Sequence, residues 1–100
     1  MDDTVATAAM TRSKEIEKSF SHTRPDGRNF GTAITDLGIT YRGAGENIAW
    51  GQKTPEAVMN AWMNSEGHRA NILNPNFKKL GVGYRTDSQR TPYWTQLFTY

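Results

Sequence analysis

Near the start of the chain, Val5, Ala8, Ala9, Ile16 and Phe20 recur at three-to-four spacing, and Arg12, Lys14, Glu15 and Lys18 fall between them. Asp2, Asp3 and Thr4 ahead of them are N-cap residue types, so the pattern predicts a helix over about 4–19. Its small Ala6–Ala9 stretch allows a neighbouring element to come close. Pro25-Asp26-Gly27 then combines a fixed φ, a turn-bonding carboxylate and a residue free to take positive φ, which predicts an ordered turn over Ser21–Arg28. Asn29 is placed to cap a short second helix carrying Phe30, Ala33, Ile34 and Leu37, with Gly38 at its end.

The pattern then changes. Ile39–Arg42 has strand composition, and Glu46–Gly51 continues it after a kink at Gly43-Ala44-Gly45. Thr54-Pro55-Glu56 starts a helix, with a capping oxygen, a proline in the first turn and an acid near the positive helix end. Val58, Ala61, Trp62 and Ser65 form one face, Met59 and Met63 flank it, and Gly67 is the expected stop. A helical turn around Arg69–Leu73 ends at Asn74-Pro75. Leu80–Tyr84 and Tyr93–Tyr100, joined by the polar loop Arg85–Thr91, read as an antiparallel hairpin. Helices and strands in this order give an α+β fold rather than βαβ repeats.

One hundred residues suit a single domain over 1–100, of radius of gyration roughly 13 Å. Twelve Lys and Arg against ten Asp and Glu leave a net charge of +2. These cations are scattered rather than gathered in a stripe, which argues against nucleic acid as a partner. No run reaches the length of a membrane span, and no secretory leader is read at the N-terminus. The absence of cysteine excludes disulfides, thiol catalysis and a cysteine zinc site.

Few residues are left to carry chemistry. His22 and His68 are the two histidines, and both are expected just after helix ends, where side chains face clefts or complement the helix dipole. Neither has a partner at local metal-ligand spacing. Glu46 is the unusual carboxylate, set in an apolar strand where an acid needs partners if buried and otherwise faces water. Ser21 and Ser65 lie close in sequence to the histidines but lack a nucleophile elbow. Trp50, Trp62, Trp94 and the tyrosines suit either a sugar or lipid groove or the core.

Taken together, Phe20–Gly27, Gly45–Ala49, Trp62–Leu73, Gly81–Gly83 and Tyr93–Phe98 resemble the CAP superfamily of cysteine-rich secretory, antigen 5 and pathogenesis-related 1 proteins, in its bacterial SCP-like branch. The resemblance covers about Asp3 to Tyr100. It implies a three-layer α-β-α sandwich with a small antiparallel sheet, here without the family's first helix. It also implies secretion or cell-surface display, and a cleft of histidines and acids able to hold a divalent cation. Of the four cleft residues of the plant and animal branches only Glu46 matches, because Tyr41, Ser65 and Tyr93 stand at the other three positions.

The expected cleft is therefore His22, Glu46, His68, Tyr41, Ser65 and Tyr93. His22, His68 and Glu46 are the expected metal ligands, with zinc bound weakly. The resemblance implies a binding module for a small ligand, a lipid or a cell-wall component. The alternative is a hydrolase acting on peptide or peptidoglycan, with a histidine base oriented by Glu46. A monomer is expected, with association possible through apolar surface that a missing first helix leaves near the start of the chain.

Overall fold

A computed structural model describes all 100 residues. Helix α1 spans Asp3–Lys18, and the Asp2 carboxylate accepts from the backbone N–H groups of Thr4 and Val5. Its buried positions are Val5, Ala8, Ala9, Arg12, Ser13 and Ile16, a continuous stripe at helical spacing. The stripe includes Arg12, so this residue is a core position and not one of the polar residues outside the apolar face.

The turn after α1 is built as expected, with Gly27 at φ +90°. The Asn29 side chain accepts from the Gly31 N–H at 2.8 Å. It closes a turn without capping a helix, and α2 is only Thr32–Thr35. Gly38 follows at φ +83°. Ile39–Arg42 is not a strand. The N–H groups of Arg42 and Gly43 both reach the Tyr100 carbonyl, and the Tyr100 ring lies where a Gly43 Cβ would stand. The chain bends around that tyrosine, and β1 begins only at Ala44, running to Trp50.

Helix α3, Pro55–Met63, is capped by the Thr54 side chain, which accepts from the Ala57 N–H. It stops before Gly67, because Ser65 takes an extended conformation and begins a separate helix α4, Glu66–Leu73. Ala61 is exposed and Met63 half-buried, so α3 is covered on one face only. Strands β2, Lys79–Thr86, and β3, Pro92–Thr99, form the expected antiparallel hairpin. Strand β3 also pairs with β1, antiparallel, in the sheet order β1-β3-β2.

Alternation along β3 divides the core into two layers. Leu97 joins Val5, Ala8, Ala9, Ala33 and Ile34 beneath α1 and α2. Trp94 joins Ala49, Val58 and Trp62 beneath α3 on the opposite face. The result is an α-β-α sandwich. Helix α1 lies very close to β2, because a Cβ at Gly81 or Gly83 would overlap α1 backbone. A groove of about 470 Å³ near the N-terminal end of α1 is lined by Met1, Ile72, Phe77 and Phe98, of which only Met1 is exposed, and the other exposed large apolar side chains are scattered over the surface rather than gathered there. No helix is long and apolar enough to cross a membrane.

Candidate functional site

Even-numbered residues of β1 face α1, and this alternation aims Glu46 at Arg12. Arg12 Nε donates to Glu46 Oε2 at 2.6 Å and Nη2 donates to Oε1 at 3.1 Å, a two-pronged pair with both side chains wholly buried. Burial opposes charge on Arg12, but the hydrogen bonds it donates to Glu46 and Glu15 outweigh it and raise the guanidinium pKa. His22 lies over the other side of the acid, its Nδ1 2.8 Å from Oε1. A carboxylate only accepts, so Nδ1 carries a proton toward Glu46, and the Nε2 edge of the ring faces away from the acid. The His22 side chain is 58% exposed above an acid that has no exposure.

The pairing continues on the far side of Arg12. Arg12 also meets Glu15, which is held by Arg24; Arg24 meets Asp36, which Arg28 shares with Asp26. Arg12 further donates to the Ser21 carbonyl, directly before His22. These contacts tie the turn over Ser21–Arg28 to α1 and α2, and so hold His22 in place although it sits in a loop.

Helix α4 carries the second histidine. His68 lies in the first turn of α4 rather than after a helix end, and its Nδ1 is 2.9 Å from Ser65 Oγ. Ser65 occupies the cap position, yet its hydroxyl serves this ring instead of a backbone N–H. Burial, and secondly the nearby charge of His22, hold the His68 imidazole below the ordinary value of 6.5. The positive end of α4 opposes a cation in the same sense. All three effects oppose a charge on His68.

A fully buried amide positions this helix. Asn47 Nδ2 donates to the His68 carbonyl and to Gln96 Oε1, both at 3.1 Å, and Asn47 Oδ1 accepts from Asn71 at 2.9 Å. The sequence reading missed Arg12, Asn47, Asn71 and Gln96. Arg12 had a usable signal, since it falls in register with Ala8, Ala9 and Ile16, and a cation in such a stripe requires a buried acid.

The geometry brings together His22 with Glu46 and Ser65 with His68. Tyr41 is elsewhere: it packs on the core beneath α1 with its hydroxyl against Gly31. Tyr93 lines a separate groove with Phe20 and Trp50, and its hydroxyl reaches Asp87 at 3.3 Å. Loss of solvent and the charge of Asp87 raise its pKa above the ordinary 10.0.

The expected metal set does not fit. Both oxygens of Glu46 are already bonded by Arg12, whose guanidinium stands where a second cation would be repelled. No three His, Asp or Glu side chains are grouped so as to hold a metal ion. His22, His68 and Glu46 are thus not grouped as a three-ligand set in this structure.

The profile of "CAP: Cysteine-rich secretory protein family" matches residues 1–98. The chain is 47% identical over 100 residues to "Uncharacterized protein YkwD" of Bacillus subtilis strain 168, covering 98% of this chain and 38% of that protein. It is 32% identical over 99 residues to "Uncharacterized membrane protein YlbC" of the same organism, covering 97% of this chain and 27% of that protein. The chain thus spans well under half the length of both relatives. Among solved structures, it is similar to an extracellular protein containing an SCP domain from Bacillus anthracis strain Ames. There the TM-score is 0.88 and the identity 35%, over 98% of this chain and 32% of the other.

Proposed function

The chain belongs to the cysteine-rich secretory protein family, and on that premise we propose that it is a binding module of the cell exterior, its ligand held in the cleft between His22 and the Ser65–His68 pair. The observation that carries this reading is the saturation of Glu46. An acid held by a two-pronged arginine is a positioning group: it orients His22 and leaves the exposed ring edge for a ligand. His68 offers a neutral ring beside a hydroxyl, a second donor and acceptor pair. Together these groups suit a small polar ligand or a cell-wall component better than a metal. The external location is supported by the description of the Bacillus anthracis relative as extracellular. Anchoring through other parts of a longer protein is compatible with the description of the second relative as a membrane protein.

The experiment is a titration of isotope-labelled protein with a soluble digest of bacterial cell wall, following the ring signals of His22 and His68. Saturable shifts of both rings, lost in the variant His22→Ala/His68→Ala, are the expected result. A digest that binds while leaving both rings unmoved overturns the reading.

A second reading rests on one distance. Ser65 Oγ at 2.9 Å from a neutral His68 imidazole has the spacing of a nucleophile and its base, and Glu46 orients His22 as a general base is oriented. A hydrolase built on either pair would cleave peptide or peptidoglycan substrates. Turnover abolished by Ser65→Ala or His68→Ala in a folded protein would favour it.

A further inference from the structure

The three tryptophans are not equivalent. Trp62 and Trp94 are 2% and 7% exposed, and their indole N–H groups donate to the carbonyls of Ile48 at 3.3 Å and Gln52 at 2.8 Å. Both are core residues with their polar atom satisfied. Trp50 is 58% exposed and its side chain makes no hydrogen bond, although it lies at the end of the strand that positions Glu46. Phe20, 48% exposed, stands beside it. These two rings form a ridge shared by two open grooves. One, of about 290 Å³, runs past Trp62 and Gln52 to Ser65 and His68. The other, of about 190 Å³, lies toward Ile16 and Tyr93.

We propose that this ridge is a carbohydrate-binding platform, on which one sugar ring of a glycan stacks against Trp50 with its hydroxyls toward Gln52 and His68. The proposal rests on the cleft reading above and names the ligand's chemical class. A sugar ring is amphipathic in the required way, with a C–H face to cover an aromatic surface and a rim of donors for the polar wall. Gln52 supplies an independent reason, because its Oε1 is buried with no hydrogen-bond partner. Such an acceptor calls for a donor, and rotation of the amide brings it to a ligand hydroxyl.

Two other occupants fit less well. An acyl chain gains by leaving water on all sides, whereas these grooves are open and one carries Gln52, Ser65 and His68. An extended peptide would add to the free edge of β1. That edge is already occupied by side chains, since the Glu46 carbonyl accepts from Asn71 and the Ile48 carbonyl accepts from Trp62.

The test is an NMR titration of ¹⁵N-labelled protein with the trimer of N-acetylglucosamine, reading the three indole N–H signals. The Trp50 signal should move saturably while those of Trp62 and Trp94 stay still. Trp50→Ala should weaken binding by about tenfold or more, and Trp50→Phe, which keeps a ring, should recover part of it. Because Trp50 is largely in solvent, both variants should fold, as circular dichroism checks. A Trp50 signal unmoved by the trimer, unchanged affinity in Trp50→Ala, or a response to dodecylphosphocholine micelles instead of the trimer overturns the proposal. If the His22 and His68 rings respond to cell-wall digest while Trp50 does not, the platform fails and the cleft reading stands. If no ring of the cleft responds to the digest and Trp50 alone binds the trimer, it is the cleft reading that fails.

Discussion

Arg12 Nε stands 2.6 Å from Glu46 Oε2, and neither side chain has any exposed surface. The contact joins the middle of α1 to the middle of β1 across 34 positions of sequence. Each charge is tolerated only because of the other, so removing one leaves an uncompensated buried ion. Arg12→Met and Glu46→Gln should each cost roughly 3–5 kcal/mol of stability. Replacing both together, Arg12→Met with Glu46→Leu, should cost clearly less than the sum, as denaturant unfolding of the single and double variants would show. Additive losses would mean that the pair is not the source of the effect.

Packing of α1 on β2 gives a sharper contrast. An Ala methyl at Gly81 would strike the backbone of Val5 and Ala6, and one at Gly83 the backbone of Ala9 and Met10. Backbone cannot rotate away as a side chain can, so Gly81→Ala and Gly83→Ala should destabilise by about 1–3 kcal/mol or more. At Gly67, inside α4, a methyl would meet nothing within 4 Å. Gly67→Ala should instead stabilise by about 0.4–1 kcal/mol. Thermal melts of the three variants suffice, and a destabilised Gly67→Ala would contradict this account of α4.

Much of this arrangement is legible in the chain. The first helix and the final hairpin follow from periodicity and capping, signals that lie within a few residues of one another. Glu46 stands out because an acid is misplaced in an apolar strand. Asn47, Asn71 and Gln96 do not, since uncharged amides are unremarkable until the fold brings together residues 24 and 49 positions apart. Ile39–Arg42 misleads for a related reason. Its β-propensity is real, but the Tyr100 carbonyl at the far end of the chain takes the N–H groups that a strand would use. Tyr41 was expected in the cleft from alignment with the family, and its packing against a glycine is invisible without coordinates.

Acid should remove stability in two stages. His68 is held below the ordinary histidine value of 6.5 by burial and by His22, so the unfolded chain binds a proton that the folded chain refuses. Its contribution is present in full above about pH 6.5 and is lost as pH falls through the folded-state pKa. Asp36, lowered by Arg28 and Arg24, and Asp26, lowered by its bonds to Arg28, act later. Their contribution is lost only as pH falls below the ordinary carboxylate range of about 4. Urea midpoints measured across pH should show both stages. His68→Gln should remove the first and leave the second; an unchanged first stage would assign it to another group.

Zinc should not stabilise the domain. Glu46 is occupied by Arg12, and the cation already present opposes a second one. A ligand that binds only the folded state raises the melting temperature as its concentration passes the dissociation constant. Scanning calorimetry with zinc in large excess should therefore show no upward shift, in wild type or in Glu46→Gln. A rise of several degrees in wild type that Glu46→Gln abolishes would restore the acid as a ligand.

Asn47 offers the strictest test of how α4 and the Ser65–His68 contact are held. It is fully buried, and its amide connects the His68 carbonyl, Gln96 and Asn71. Asn47→Ala removes a group that three partners use, and although Asn71 keeps its bond to the Glu46 carbonyl, the loss should be about 1–3 kcal/mol for each group left with neither another partner nor water. The loss falls mainly on α4, which has no fully buried residue of its own and depends on these bonds for its position. Hydrogen exchange should therefore accelerate across Glu66–Leu73 more than across α1, and the Ser65–His68 contact should loosen with it. The His68 ring would then gain solvent, and its pKa should rise toward the ordinary value. Histidine ring titration by NMR measures this directly. If Asn47→Ala lowers stability evenly while leaving the His68 titration unchanged, then α4 is held by its packing and the amide network does not set the Ser65–His68 geometry.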